Sequence, residues 1–185
     1  RKESSAASDV YKRQTMDFEM IGGTHELLPN DVLQQLMHKS LTQVGGFDYT
    51  IKENEFANSI AETLGKPLNM DYVTGVEPYD PNALPMGSTD VGDVSFTVPT
   101  AGMGAATWVP GTPAHSWQAV AAGGTSIGNK GMLVAAKTLA LTAFKLLDNP
   151  KILDQAQAEF LEKRGANFKY IPLLGERSPA LDYRN

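Results

Sequence analysis

The chain has 185 residues, no cysteine, and a formal net charge of −5 from 16 Lys and Arg against 21 Asp and Glu. The missing cysteines exclude a disulfide scaffold and a Cys-ligated zinc site, and the acidic balance argues against a nucleic-acid surface, which needs clustered cations. No apolar run reaches the ~18 residues that would suggest a membrane span.

Residues 1–14, RKESSAASDVYKRQ, carry Arg1, Lys2, Lys12 and Arg13 and show no helical or strand period. They read as a non-native or disordered leader, without the apolar stretch of a secretory signal. Residues 15–21 alternate apolar and polar at Met16, Phe18 and Met20, the period of a half-buried strand. Gly22 and Gly23 break it. Asn30 and Asp31 offer an N-cap, and Leu33, Leu36, Met37 and Leu41 follow at helical spacing up to Gly45 and Gly46. A second helix is expected from about Lys52 to Leu64, with Phe56, Ala57, Ile60, Ala61 and Leu64 inward and Glu53, Glu55 and Glu62 as a solvated face.

Residues 66–90 hold Pro67, Pro78, Pro81 and Pro85 and predict a long loop. Val94, Phe96 and Val98 alternate as a strand ended by Pro99, and a second short strand is expected at Ala105–Val109. Pro110, Gly111 and Pro113 open a loop that carries His115. From Ser126 to Leu147 the apolar residues cover most of a helix circumference, which predicts deep burial. Asn149 and Pro150 start a more polar helix to about Arg164, stopped by Gly165. The last twenty residues are irregular.

Two stretches could carry chemistry. His115 lies in GTPAHSWQ, residues 111–118, a loop stiffened by Pro110 and Pro113. A rigid loop at a strand end is where α/β enzymes place ligands and catalysts, although a loop His is more often bland. GSTDVGDVS, residues 87–95, crowds Ser88, Thr89, Asp90, Asp93 and Ser95 together. Its two carboxylates could bind a hard cation or orient a metal-bound His, or could equally cap a turn and face solvent. His38 reads as a solvated helix position and His25 as a structural or exposed turn residue. No phosphate-binding glycine loop and no GxSxG nucleophile elbow occurs.

Taken together, PMGSTDVGDVS at 85–95, VPT at 98–100, GTPAHSWQ at 111–118 and SIGNKGMLVAAK at 126–137 resemble the C-terminal part of the metal-dependent aminoacylase, carboxypeptidase and amidohydrolase family. The resemblance implies an α/β fold: part of a three-layer α/β/α metallopeptidase-like domain over 29–185, preceded at 15–28 by the end of a lid and dimerisation domain. It implies that the chain is a fragment, and that the general base and most metal ligands lie upstream of it. It makes His115 a ligand of one of two divalent ions, manganese or zinc. It gives Asp90, with Ser88 and Thr89, a place in a loop near substrate and metal. The implied activity is cleavage of an amide bond in N-acyl or aminobenzoyl amino acids such as p-aminobenzoyl-glutamate, by metal-activated water. The implied setting is a cytoplasmic homodimer or heterodimer formed through the lid, with no nucleic-acid or membrane partner. A non-catalytic binding or assembly subunit, or a dipeptidase, is the alternative.

Overall fold

The structure is a computed structural model that describes residues 22–83 and 89–174, with Ser178 and Leu181. The strand expected at 15–21 and residue Ser88 lie outside the described residues. Among the described residues seven helices follow in order: α1 Asp31–Val44, α2 Ile51–Leu64, α3 Asp71–Thr74, α4 Val91–Ser95, α5 Trp117–Gly123, α6 Ser126–Asp148 and α7 Pro150–Arg164.

The helix ends obey local chemistry. Asn30 Oδ1 accepts the Leu33 N–H at 3.0 Å and opens α1. Thr50 and Glu53 form a reciprocal capping box at the start of α2, and Gly65 closes that helix in the left-handed conformation at φ 61°. Pro150 occupies the first turn of α7.

The helices pack around two centres. Tyr49, Ala57, Ile60, Val73, Val109, Ala122 and Ile127 form a buried cluster that joins α2 to α5 and the start of α6. The second centre joins α1 to α6 and α7. Thr142 Oγ1 donates to Met37 Sδ at 3.4 Å, and Lys145 Nζ reaches Ser40 Oγ at 3.3 Å. From α7, Ala156 C=O accepts from Asn30 Nδ2 at 2.8 Å, and the Glu159 carboxylate accepts the N–H groups of Asp31 and Val32 at 2.7 and 2.9 Å. An anion on those amides is favoured, because the first N–H groups of a helix lack intrahelical acceptors.

Several expectations are corrected. The α/β architecture is not seen among the described residues, which form helices and no strand. Val94–Val98 is not a strand. Val91–Ser95 is helical, and residues 96–98 continue it as turns. The apolar alternation there is too short to separate the two periods, since Val94 and Val98 also lie one helical turn apart and both are about half exposed. Ala105–Val109 forms no ladder. Its Thr107 N–H bonds only to the Ala105 carbonyl, at 2.9 Å. The segment lies close over α6, where a Cβ on Gly131 would sit 2.3 Å from the Ala106 carbonyl oxygen. The long helix is present, but α6 buries only Ile127, Gly128, Gly131, Thr138 and Thr142. Glu53 is not solvated. Among the described residues no helix is long and apolar enough to cross a membrane.

Candidate functional site

The loop that bears His115 begins at Val109, whose side chain is fully buried in the first centre. Gly111 turns the chain at φ 84°, and the Thr112 N–H returns to the Val109 carbonyl at 3.1 Å. At the far end Ser116 Oγ donates to the Pro113 carbonyl at 2.7 Å and accepts the Ala119 N–H at 3.2 Å, which caps α5. His115 sits just before this cap with φ 59°, the left-handed region. Among the described residues it is the non-glycine residue with positive φ. A Cβ-bearing residue there costs about 1–2 kcal/mol. Such strain persists where the surroundings hold it in place, and it concentrates at functional sites. The imidazole is exposed.

Helix α5 and the start of α6 are each tied to α2 by a side-chain hydrogen bond. Gln118 Nε2 donates to Thr63 Oγ1 at 3.3 Å near the end of α2. Just beyond α5, Ser126 Oγ donates to Glu53 Oε1 at 2.6 Å at the start of α2. Helix α2 therefore borders α5, the helix into which the His115 loop leads. Glu53 also takes Lys130 Nζ and the Thr50 N–H on Oε2, each at 2.6 Å. Burial pushes its carboxyl up. The hydrogen bonds from Lys130, Ser126 and Thr50 outweigh that and hold the pKa at about 2. Beside it, burial and then the Glu53 charge push the Tyr49 hydroxyl up to about 12. Grouping the three acids of this helix as one solvated face hides the buried anion in the sequence. Its signal is the spacing of Thr50 and Glu53, a capping box.

The second candidate stretch divides. Thr89 Oγ1 accepts the Val91 N–H at 3.2 Å, so Thr89 shapes the turn into α4. Asp90 is exposed and makes no side-chain cap. Asp93 has a structural occupation. Its Oδ2 accepts the His25 backbone N–H at 3.3 Å and its Oδ1 accepts the Tyr170 hydroxyl at 2.9 Å. That hydrogen bond to a carboxylate raises the Tyr170 pKa. Ser95 Oγ accepts the Leu28 N–H at 2.8 Å. A Cβ on Gly92 would fall 1.9 Å from the His25 carbonyl oxygen, so glycine alone admits that contact. Residues 25–28 are thus docked on α4. The His25 ring packs against Phe96, Tyr170 and Phe168. His38, expected in solvent, bonds through Nε2 to the Glu77 carbonyl at 2.8 Å and packs on Tyr79.

A groove of about 1930 Å³ runs between α1 and the extended segments, lined among others by Gln34, Tyr79, Met103, Trp108 and Thr112. Thr89 borders it, but Asp90 and His115 do not. Among the described residues no three His, Asp or Glu side chains converge to hold a metal ion. His115 can offer one imidazole, and these residues do not complete a site around it.

No protein-family model and no solved structure matches the chain. The sequence is similar to one of the subunits of p-aminobenzoyl-glutamate hydrolase from Escherichia coli (strain K12), with 36% identity over 83% of this chain. The chain spans 37% of the length of that relative.

Proposed function

We propose that this chain is the part of a metal-dependent amidohydrolase that supplies one metal ligand, His115, on the loop that leads into α5. The substrates would be N-acyl or aminobenzoyl amino acids of the p-aminobenzoyl-glutamate kind, as the name of the E. coli relative suggests. The observation that carries this reading is His115 itself. An exposed imidazole is held in a strained backbone conformation by a loop anchored at both ends, inside a chain similar to a hydrolase subunit.

A divalent ion, manganese or zinc, supplies Lewis-acid polarisation of the scissile carbonyl when bound. His115 would give such an ion one neutral ring nitrogen, with the remaining donors and the general base from outside the described residues. Asp90, Thr89 and Ser88 would order the loop ahead of α4 at the edge of the site. The E. coli relative is named a subunit, which favours a second reading: a binding or assembly subunit without turnover.

A chimera in which this chain replaces the matching part of the E. coli protein tests both. Hydrolysis of p-aminobenzoyl-glutamate with added manganese or zinc, lost in His115→Ala without a change in melting temperature, is the expected result. Equal turnover with and without His115 removes it from the ligand set. A folded chimera that binds the substrate and leaves it intact favours the second reading.

A further inference from the structure

Residues 114 and 115 form a turn between two fixed points. On one side Pro113 has its φ set by its ring. On the other, Ser116 opens α5, where Ala119 and Ala122 are buried, Ala122 within the first centre. Ala114 and His115 are both exposed, so packing of their side chains does little to hold the backbone beneath them. A positive φ at the third residue of a four-residue turn is ordinarily left to Gly or Asn, yet His115 stands there with φ 59°.

The Ser116 hydroxyl reaches back across both turn residues. Its Oγ donates to the Pro113 carbonyl at 2.7 Å, and the same oxygen accepts the Ala119 N–H at 3.2 Å. One atom thus ties the start of α5 to the residue two before His115. Ser116 itself is extended, at φ −117° and ψ 157°, so the left-handed step falls on His115. Among side chains that cap a helix, a hydroxyl is the group that gives and takes a hydrogen bond through a single atom. Alanine does neither, and an ionised aspartate only accepts.

We infer that Ser116 is the positioning residue of His115: its hydroxyl bridge holds that residue in the left-handed conformation and so sets the direction in which the imidazole leaves the chain. The backbone fixes the Cα–Cβ direction, so a His115 relaxed to negative φ would present its ring elsewhere. What the ring binds rests on the proposed function, whereas the bridge does not.

Three variants separate the bridge from the cap. Ser116→Ala loses both hydrogen bonds, Ser116→Asp keeps the acceptor for Ala119 and lacks the donor for Pro113, and Ser116→Thr keeps both. In the chain alone, NMR reads the intraresidue amide–Hα NOE of His115, which is strongest at positive φ, and hydrogen exchange reads the Ala119 amide. The NOE should stay strong in Ser116→Thr and weaken in Ser116→Ala and Ser116→Asp, while the Ala119 amide loses protection in Ser116→Ala and keeps it in Ser116→Asp. A strong NOE in Ser116→Asp, or a weak one in Ser116→Thr, overturns the inference. Calorimetric binding of manganese to the chimera described above gives the second readout. Ser116→Ala should weaken it about ten-fold, Ser116→Thr should bind like the parent, and in a His115→Gly background Ser116→Ala should add nothing. Equal weakening in both backgrounds overturns the inference and assigns Ser116 to the folding of α5. If His115→Gly leaves manganese binding unchanged, the proposed function alone fails, and the NOE decides the bridge by itself.

Discussion

Lys130, one turn into α6, places its ammonium 2.6 Å from the carboxylate of Glu53 in the first turn of α2. The Glu53 side chain is 7% exposed and that of Lys130 is 32% exposed. Removing one partner of such a pair is costlier than the pair is worth, because the other charge stays desolvated. Glu53→Gln should lower stability by about 1–3 kcal/mol, less than for a fully buried pair because water reaches Lys130. Urea unfolding at neutral pH measures it. A change below about 0.5 kcal/mol would remove this contact from the fold's main supports.

The same carboxylate sets an acid limit. Its folded pKa of about 2 lies below the ordinary 4.5, so the unfolded chain binds the proton more readily. The contribution is full above about pH 4.5 and is lost as pH falls toward 2. Glu159 is shifted down as well, where hydrogen bonds from Lys163, Val32 and Asp31 outweigh burial, and acts in the same direction. Unfolding midpoints between pH 5 and pH 3 should fall less steeply in Glu53→Gln than in the parent chain. Parallel slopes would contradict a depressed Glu53.

At His115 the backbone and the side chain make opposite demands. With φ at 59°, His115→Gly should leave the chain alone equally stable or up to about 1 kcal/mol more stable, because the strain is relieved and glycine's added chain entropy partly offsets the gain. His115→Val should cost up to about 1 kcal/mol beyond the strain His115 already bears, because a β-branched residue tolerates the left-handed region less well than His. The chimera should lose turnover in both. A His115→Gly chain clearly weaker than the parent would show that the imidazole itself supports the loop.

Gly131 lies within α6, where alanine is intrinsically better than glycine by about 1 kcal/mol. A Cβ there would meet the Ala106 carbonyl oxygen at 2.3 Å and the Thr107 nitrogen at 2.9 Å, both backbone. Gly131→Ala should therefore destabilise by about 1–3 kcal/mol, the reverse of its helix propensity. A stabilised variant would mean that residues 105–107 do not rest on α6.

Asp93 joins two segments far apart in sequence. Asp93→Ala should speed hydrogen exchange at the His25 amide, where about 1 kcal/mol is lost with the hydrogen bond, and also loosen the segment around Tyr170. Tyr170→Phe should loosen the second region alone. Identical exchange patterns in the two variants would deny Asp93 its double role.

Helices with strong end signals are readable in the sequence. Asn30, the Gly45–Gly46 pair, Gly65, Pro150 and Gly165 bound α1, α2 and α7 within a residue or two, because caps and breakers act locally. The short helices are not readable. Helix α5 has seven residues, and its cap Ser116 looks like loop chemistry beside His115. The end of α4 and the turns after it look like a strand, since Val94, Phe96 and Val98, three apolar residues in five positions, fit either period. The deep burial expected of α6 rests on composition alone, and composition cannot say whether a partner is present. The site is half readable: the His115 loop stands where the sequence puts it, but the two anions that organise the neighbourhood, Glu53 and Asp93, act through contacts 77 and 68 residues away, which no local pattern records.

The Glu159 carboxylate on the first amides of α1 has a consequence for how the chain acquires its structure. Asp31 and Glu159 are 128 residues apart, and Lys163 clasps both, at 2.7 Å each. A ribosome thus delivers the anion that completes α1 long after α1 itself. Until α6 and α7 emerge, α1 has its local Asn30 cap but neither its docking surface nor the carboxylate on its first two amides, and a lone fourteen-residue helix is marginal in water. The α1, α6 and α7 centre therefore forms only once α7 has emerged, while α2 can already rest against Val73.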